Sequence, residues 1–159
     1  MPNVETVLVA LEPVARLLLV VVLAAALGWE RERRGRPAGF RTYIMVGLGA
    51  AMFTLVSIYA FPGSDPARVA AQVVTGVGFL GAGTIFQRQT DVHGLTTAAG
   101  LWAVAAIAMA AAAGLYLIAV VGTLLAMLTL AALRGVERRA VQSHAVPPAP
   151  PEGGEGDAD

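Results

Sequence analysis

Gly76, Gly78, Gly81 and Gly83 lie in the segment TGVGFLGAGTIF, whose first three glycines match G-x-G-x-x-G, the spacing that brings a backbone against a dinucleotide pyrophosphate. That chemistry needs a strand before the motif, a helix after it and an acidic residue about 20 positions on. Here the motif sits inside the uncharged run Val69–Phe86, and no acid occurs between Asp91 and Glu137. The dinucleotide reading fails. At about 100° per residue, Gln72, Gly76, Phe79 and Gly83 share one helix face, and Val74, Gly78, Gly81 and Ile85 share nearly the opposite one. Small residues on both faces admit neighbouring backbones from both sides. The pattern predicts helix packing for the glycines, a central place in a bundle for this run, and a Gln72 directed inward for packing or for function.

The charged residues offer other chemistry. Glu30, Glu32 and Asp65 are carboxylates of the kind that attract a hydrated hard cation such as Mg²⁺. In Asp65-Pro66-Ala67-Arg68 the order predicts a helix start, with Asp as N-cap and Pro in the first helical position. Arg68 in that first turn opposes the helix dipole, which predicts a partner beyond the turn, as an outer salt bridge or part of an ion vestibule. The segment from Glu30 to Thr42 alternates charge and then turns at Pro-Ala-Gly. It fits a basic loop against anionic lipid, with Glu30 and Arg41 as candidates for an ion pair bridging two helix ends. Glu12 and Arg16, at i and i+4, predict a local pair. Thr96 and Thr97 open an apolar run, where their hydroxyls cap a helix or bond a neighbour. Trp102, deep in that run, predicts a helix–helix contact or a polar cavity for its indole N–H.

Other chemistry is excluded by inventory. The chain has no Cys, and all eleven basic residues are Arg. Thiol nucleophiles, thiolate metal sites, Schiff bases and a P-loop lysine are therefore out of reach. His93 and His144 lack metal-site spacing. The expectation is a non-enzyme without a cofactor, and nucleic acid is not an expected partner.

The elements that carry these residues are membrane helices. Of 159 residues, 57% are hydrophobic and 14% charged, against about 25% charged in soluble domains. Mean hydropathy is +0.69. A chain of this length cannot bury that much apolar surface by itself. Five spans are predicted, at about 13–29, 42–61, 69–86, 95–112 and 115–133, the last two by splitting the uncharged run Leu95–Leu133 near Gly114. The fold class is all-α, a polytopic transmembrane helical bundle. With the first and third connectors and the C-terminus in the cytoplasm, nine of the eleven Arg lie inside, as the positive-inside rule requires. The N-terminus is then outside. The order of charge and apolar run at the N-terminus favours a retained helix over a cleaved signal peptide. The net charge of zero is a cancellation: residues 1–139 carry eleven Arg against seven acids, and residues 140–159 carry four acids and no Arg. That tail, rich in Pro, Gly and acid, is expected to be disordered.

Three blocks, GWERERRGRPAGFRT (Gly28–Thr42), DPARVAAQVVTGVGFLGAGTIF (Asp65–Phe86) and GLTTAAGLWAVAAI (Gly94–Ile107), together make the chain resemble the MgtC/SapB family of bacterial inner-membrane proteins. The resemblance covers about Leu17 to Leu133. It implies a membrane domain of four or five spans and a link to growth under magnesium limitation and to survival in macrophages. Some members modulate other membrane machines. Carried onto matching positions, the motif residues are Glu30, Arg31, Glu32, Gly39, Arg41, Thr42, Asp65, Arg68, Gln72, Gly76, Gly78, Gly81, Gly83, Thr96, Thr97 and Trp102. The soluble C-terminal domain of longer members is not expected, so the chain looks like a short, SapB-like member. The implied function is a non-enzymatic regulator tied to magnesium homeostasis that binds lipid, another membrane protein or a second copy of itself. The alternative is a small transporter or channel component for Mg²⁺ or another ion.

Overall fold

In the computed structural model the chain is described over residues 4–61, 63, 65–88 and 91–143, with side chains described for 11–61, 63, 65–87 and 92–131. Five helices follow in order: α1 Val4–Glu32, α2 Phe40–Tyr59, α3 Ala67–Ala82, α4 Leu95–Ala112 and α5 Tyr116–Ser143. A two-stranded antiparallel hairpin, β1 Phe86–Arg88 and β2 Asp91–His93, joins α3 to α4. Among the residues with described side chains, three helices are long and apolar enough to cross a membrane, Leu11–Glu32, Phe40–Tyr59 and Leu95–Ala112. Helix α3, with 16 residues, reaches about 24 Å at 1.5 Å per residue, short of a hydrocarbon core of about 30 Å.

Helix α1 extends past its apolar stretch at both ends. It takes Pro13 into its interior, and its last turn includes Glu30, Arg31 and Glu32, residues expected in a loop. Its buried stripe runs Val20, Leu23, Ala24, Leu27 and then Arg31, the i, i+3, i+4, i+7 spacing of one helix face. Glu and Arg are good helix formers, so the helix continues to Glu32 and gives way to a turn ending at Gly35, whose φ of +61° lets the chain reverse. Helix α2 returns along α1 at close range. A Cβ on Gly28 would stand 2.8 Å from Phe40 Cα, and one on Gly47 3.1 Å from Ala24 Cβ.

Helix α4 occupies the centre and packs against α1, α2, α3 and α5. Nine of its eighteen residues are Ala, small enough for backbones to approach from several sides. Val104, Ala105, Ala108, Ala111 and Ala112 are all buried. The central place expected for α3 therefore belongs to α4. Among the described residues helix α3 packs chiefly against α4 and α2, and its buried residues are Val73, Val77 and Gly81. Gly76 and Gly78 have nothing within 4 Å of where a Cβ would stand. Glycine permits a close approach without compelling one, and burial followed the larger apolar side chains.

The long uncharged run breaks at Gly114 (φ +85°). Helix α5 then continues to Ser143, four residues into the segment expected to be disordered. Ala140 to Gln142 are compatible with helix, and the first Pro comes only at Pro147. The rest of that tail, 144–159, lies outside the described residues.

Candidate functional site

The alternating course of the helices gathers the α1–α2 connector, the hairpin and the late part of α5 at one end of the bundle. The α2–α3 and α4–α5 connectors lie at the other. Arg34 Nη1 donates to the carbonyl of Leu130 across the first end at 3.3 Å. Arg16 binds across the second. Its guanidinium donates to the Ala112 carbonyl (2.6 Å), to Tyr116 Oη (3.1 Å) and to Glu12 Oε1 (2.5 Å). The local Glu12–Arg16 pair thus also caps the C-terminus of α4, which leaves carbonyls without helical partners.

At the first end a polar cluster is built into the contact of α1, α2 and α4. Arg31 is 1% exposed, and its Nη2 donates to Thr97 Oγ1 at 3.0 Å across 66 positions of sequence. Its Nε and Nη1 and the Oε2 of Glu30 have no hydrogen-bond partner among the described residues, and the Tyr43 hydroxyl faces the Arg31 guanidinium without a well-formed hydrogen bond. Tyr43 is fully buried. Its hydroxyl fills the space a side chain on Gly100 would take, 2.0 Å from that Cβ position. Glu32 serves the neighbouring turn: its Oε2 accepts the Phe40 N–H at 2.7 Å, satisfying one of the free donors at the start of α2. Gly39 makes room, since a Cβ there would lie 2.6 Å from that same oxygen. Trp29 meets Phe40 edge to face at 6.1 Å, and Arg33 stacks over Trp29 at 5.8 Å.

Several expectations are corrected here. Glu30 pairs with Arg34, Nε to Oε1 at 2.7 Å, and not with Arg41, which is exposed. One helical turn places Arg34 above Glu30, whereas Arg41 starts a different helix and faces outward. Thr42 and Thr96 are exposed, so Thr97 alone of that pair enters the bundle. Trp102 is 53% exposed and lines a shallow groove between α3 and α4 with Val74, Val77 and Met109. Gln72 is exposed and does not point into the bundle, because the face of α3 that packs is the Val73–Val77–Gly81 face.

Asp65 and Arg68 lie at the second end. Asp65 Oδ1 accepts the Ala67 N–H at 2.9 Å, opening α3. Arg68 is exposed, and its side chain makes no ion pair or hydrogen bond among the described residues. A helix of 20 residues, α2, separates Asp65 from Glu30 and Glu32 by about 30 Å. The three carboxylates therefore do not form one mouth. Among the described residues no cluster of three or more His, Cys, Asp or Glu could hold a metal ion. Arg68 and Gln72 instead border an apolar groove of about 1010 Å³ between α2 and α3, lined also by Met45, Gly49, Phe53 and Gly76. Sequence reasoning missed Tyr43 and Gly100. The available signal was a Tyr just inside an uncharged run beside a basic block, a position that demands room for its polar tip.

The profile of the MgtC family matches residues 17–139. The chain is 45% identical over 127 residues to the Escherichia coli (strain K12) protein named "Putative magnesium transporter YhiD", covering 75% of this chain and 59% of that one. It is 46% identical over 113 residues to Protein MgtC of Brucella abortus (strain 2308), covering 71% and 48%. It is 40% identical over 137 residues to Protein SrpB of Synechococcus elongatus, covering 77% and 75%. The chain thus spans about half to three-fifths of the length of the first two relatives. No solved structure matches it. The matched region holds α2 to α4, much of α1 and most of α5, and the polar cluster around Arg31, while Glu12 and Arg16 precede it; on that match the chain belongs to the MgtC family.

Proposed function

We propose that this chain is a non-enzymatic protein of the bacterial inner membrane, linked to magnesium homeostasis, that acts by docking to another membrane protein or to a second copy of itself. Family membership and the names MgtC and YhiD support the magnesium link. The observation that carries the regulatory reading is how the polar groups are used. Arg16, Arg31 and Glu32 each bind a helix end or a neighbouring helix, so they hold the bundle together. The large groove is walled mostly by apolar side chains and glycine, with no carboxylate among its lining residues and the Gln72 amide as its one side-chain oxygen, against the roughly six oxygens a hard cation takes. The positive end, with Arg31, Arg33, Arg34, Arg36 and Arg41, faces the cytoplasm in this reading, and the N-terminus lies outside.

The printed name of the Escherichia coli relative favours a second reading, a transporter component for Mg²⁺. Ion flux into liposomes holding only the purified chain separates the two. The regulatory reading expects no Mg²⁺-dependent flux and a membrane partner captured by crosslinking in cells. Mg²⁺ flux abolished by Asp65→Asn or Glu30→Gln would overturn it.

A further inference from the structure

The groove between α2 and α3 has a polarity of its own. Its volume of about 1010 Å³ is at the top of the range, about 300–1,000 Å³, of cavities that enclose small ligands. Among the described residues two polar side chains border it, Arg68 and Gln72, one turn apart on α3 and close to the helix start. That end lies at the depth of the lipid headgroups in a membrane bundle. The Arg68 side chain has no partner among the described residues, and the nearest acid in sequence, Asp65, receives the Ala67 N–H. Farther in, Gly49 of α2 and Gly76 of α3 both line the groove, and a Cβ on either would meet nothing within 4 Å. These glycines hold space open and do not draw the helices together.

We propose that the groove is a binding site for one anionic phospholipid. The phosphate sits on the Arg68 guanidinium, with the Gln72 amide as a second donor, and one acyl chain lies along Gly49 and Gly76. Charge complementarity selects this occupant. A guanidinium matches phosphate with two parallel donors, and a lone charge at one end of an otherwise apolar channel mirrors an amphiphile. A spanning helix is a cylinder about 10 Å across and about 30 Å long, more than twice the volume of the groove. It would also leave Arg68 against an apolar surface. The proposal stands apart from the regulatory reading above.

Native mass spectrometry of the full chain released from detergent micelles tests it, with phosphatidylglycerol or phosphatidylcholine added. One phosphatidylglycerol should stay bound where phosphatidylcholine is lost. Arg68→Gln should cut that retention about tenfold, the loss of one charge-assisted contact. Gly76→Leu, which reaches into the groove from a position where a Cβ meets nothing within 4 Å, should cut it too, with the helical circular dichroism of both variants unchanged. Equal retention of the two lipids, or no effect of either substitution, would overturn the site. Displacement of the lipid by inorganic phosphate would reassign it to the free anion. A dimer that excludes the lipid and is lost in Gly76→Leu would give the groove to a second copy.

Discussion

Three glycines constrain this structure at the scale of single atoms. Gly94 has φ +92°, and a Cβ on it would lie 1.9 Å from the Thr84 carbonyl oxygen, where the hairpin returns the chain to α4. Both the left-handed backbone and the contact oppose any side chain. Gly94→Ala should therefore destabilise the protein by about 2 kcal/mol or more, read from unfolding in mixed micelles. Gly100 is limited by a side chain instead, the buried Tyr43 hydroxyl, and that difference is testable as a cycle. Gly100→Ala should cost about 1–3 kcal/mol by overpacking. In a Tyr43→Phe background the cost should fall markedly, because the offending oxygen is gone. Tyr43→Phe alone removes an oxygen that faces Arg31 without a well-formed hydrogen bond, so its own cost should stay below about 1.5 kcal/mol. Equal costs of Gly100→Ala in the two backgrounds would show that the two sites do not couple. Gly28, pressed against the backbone of Phe40, belongs with Gly94.

At the scale of elements, the blocks that define the family are helix junctions. Arg31 ends α1 and holds Thr97 in the first turn of α4. Glu32 ends α1 and starts α2. Outside those blocks, Arg16, near the middle of α1, closes the C-terminus of α4. Each is a charged group spent on joining two helices where the backbone itself leaves donors or acceptors free. The Arg31–Thr97 bond is buried, so the guanidinium cannot turn to solvent when its partner is lost. Thr97→Val, similar in shape, should cost about 1.5–3 kcal/mol in the same unfolding measurement. Thr96→Val, on an exposed position, should fall within about 0.5 kcal/mol of the parent. Similar losses for the two would contradict the assignment of the buried bond.

For the whole molecule, the five helices turn a sequence with no net charge into an object with a charged axis. The connector between α1 and α2 and the late part of α5 bring eight Arg (Arg31, Arg33, Arg34, Arg36, Arg41, Arg134, Arg138 and Arg139) to one end of the bundle. Arg16 and Arg68 lie toward the other. A membrane reads such an axis through the positive-inside rule. A reporter fused after Arg139 should accordingly be cytoplasmic, with a fusion at Gly63 giving the opposite signal. An external signal after Arg139 would reverse the orientation or change the number of spans.

How much of this was legible beforehand follows from what each feature depends on. Helical class, the membrane setting and the charged axis depend on composition and order, and order is a property of the chain. The break at Gly114, the opening of α3 by Asp65, and the family itself were readable from runs and motifs for the same reason. Which helix lies at the centre was not. Glycine in α3 and alanine in α4 both allow close approach, and the choice between them rests on the fit of all five helices at once. Partnership across long separations was equally hidden. Arg31 finds Thr97, 66 positions away, because the last turn of α1 is helical and consecutive charges point about 100° apart; the same turn sets Glu30 beside Arg34, a local i,i+4 pair. Gln72, inward by its pattern of small neighbours, borders a groove because the Val73 face packed first. The sequence by itself determined what kind of molecule this is and which end of it is positive. Only the tertiary structure decided which polar groups are enclosed, because enclosure is set by neighbours distant in the chain.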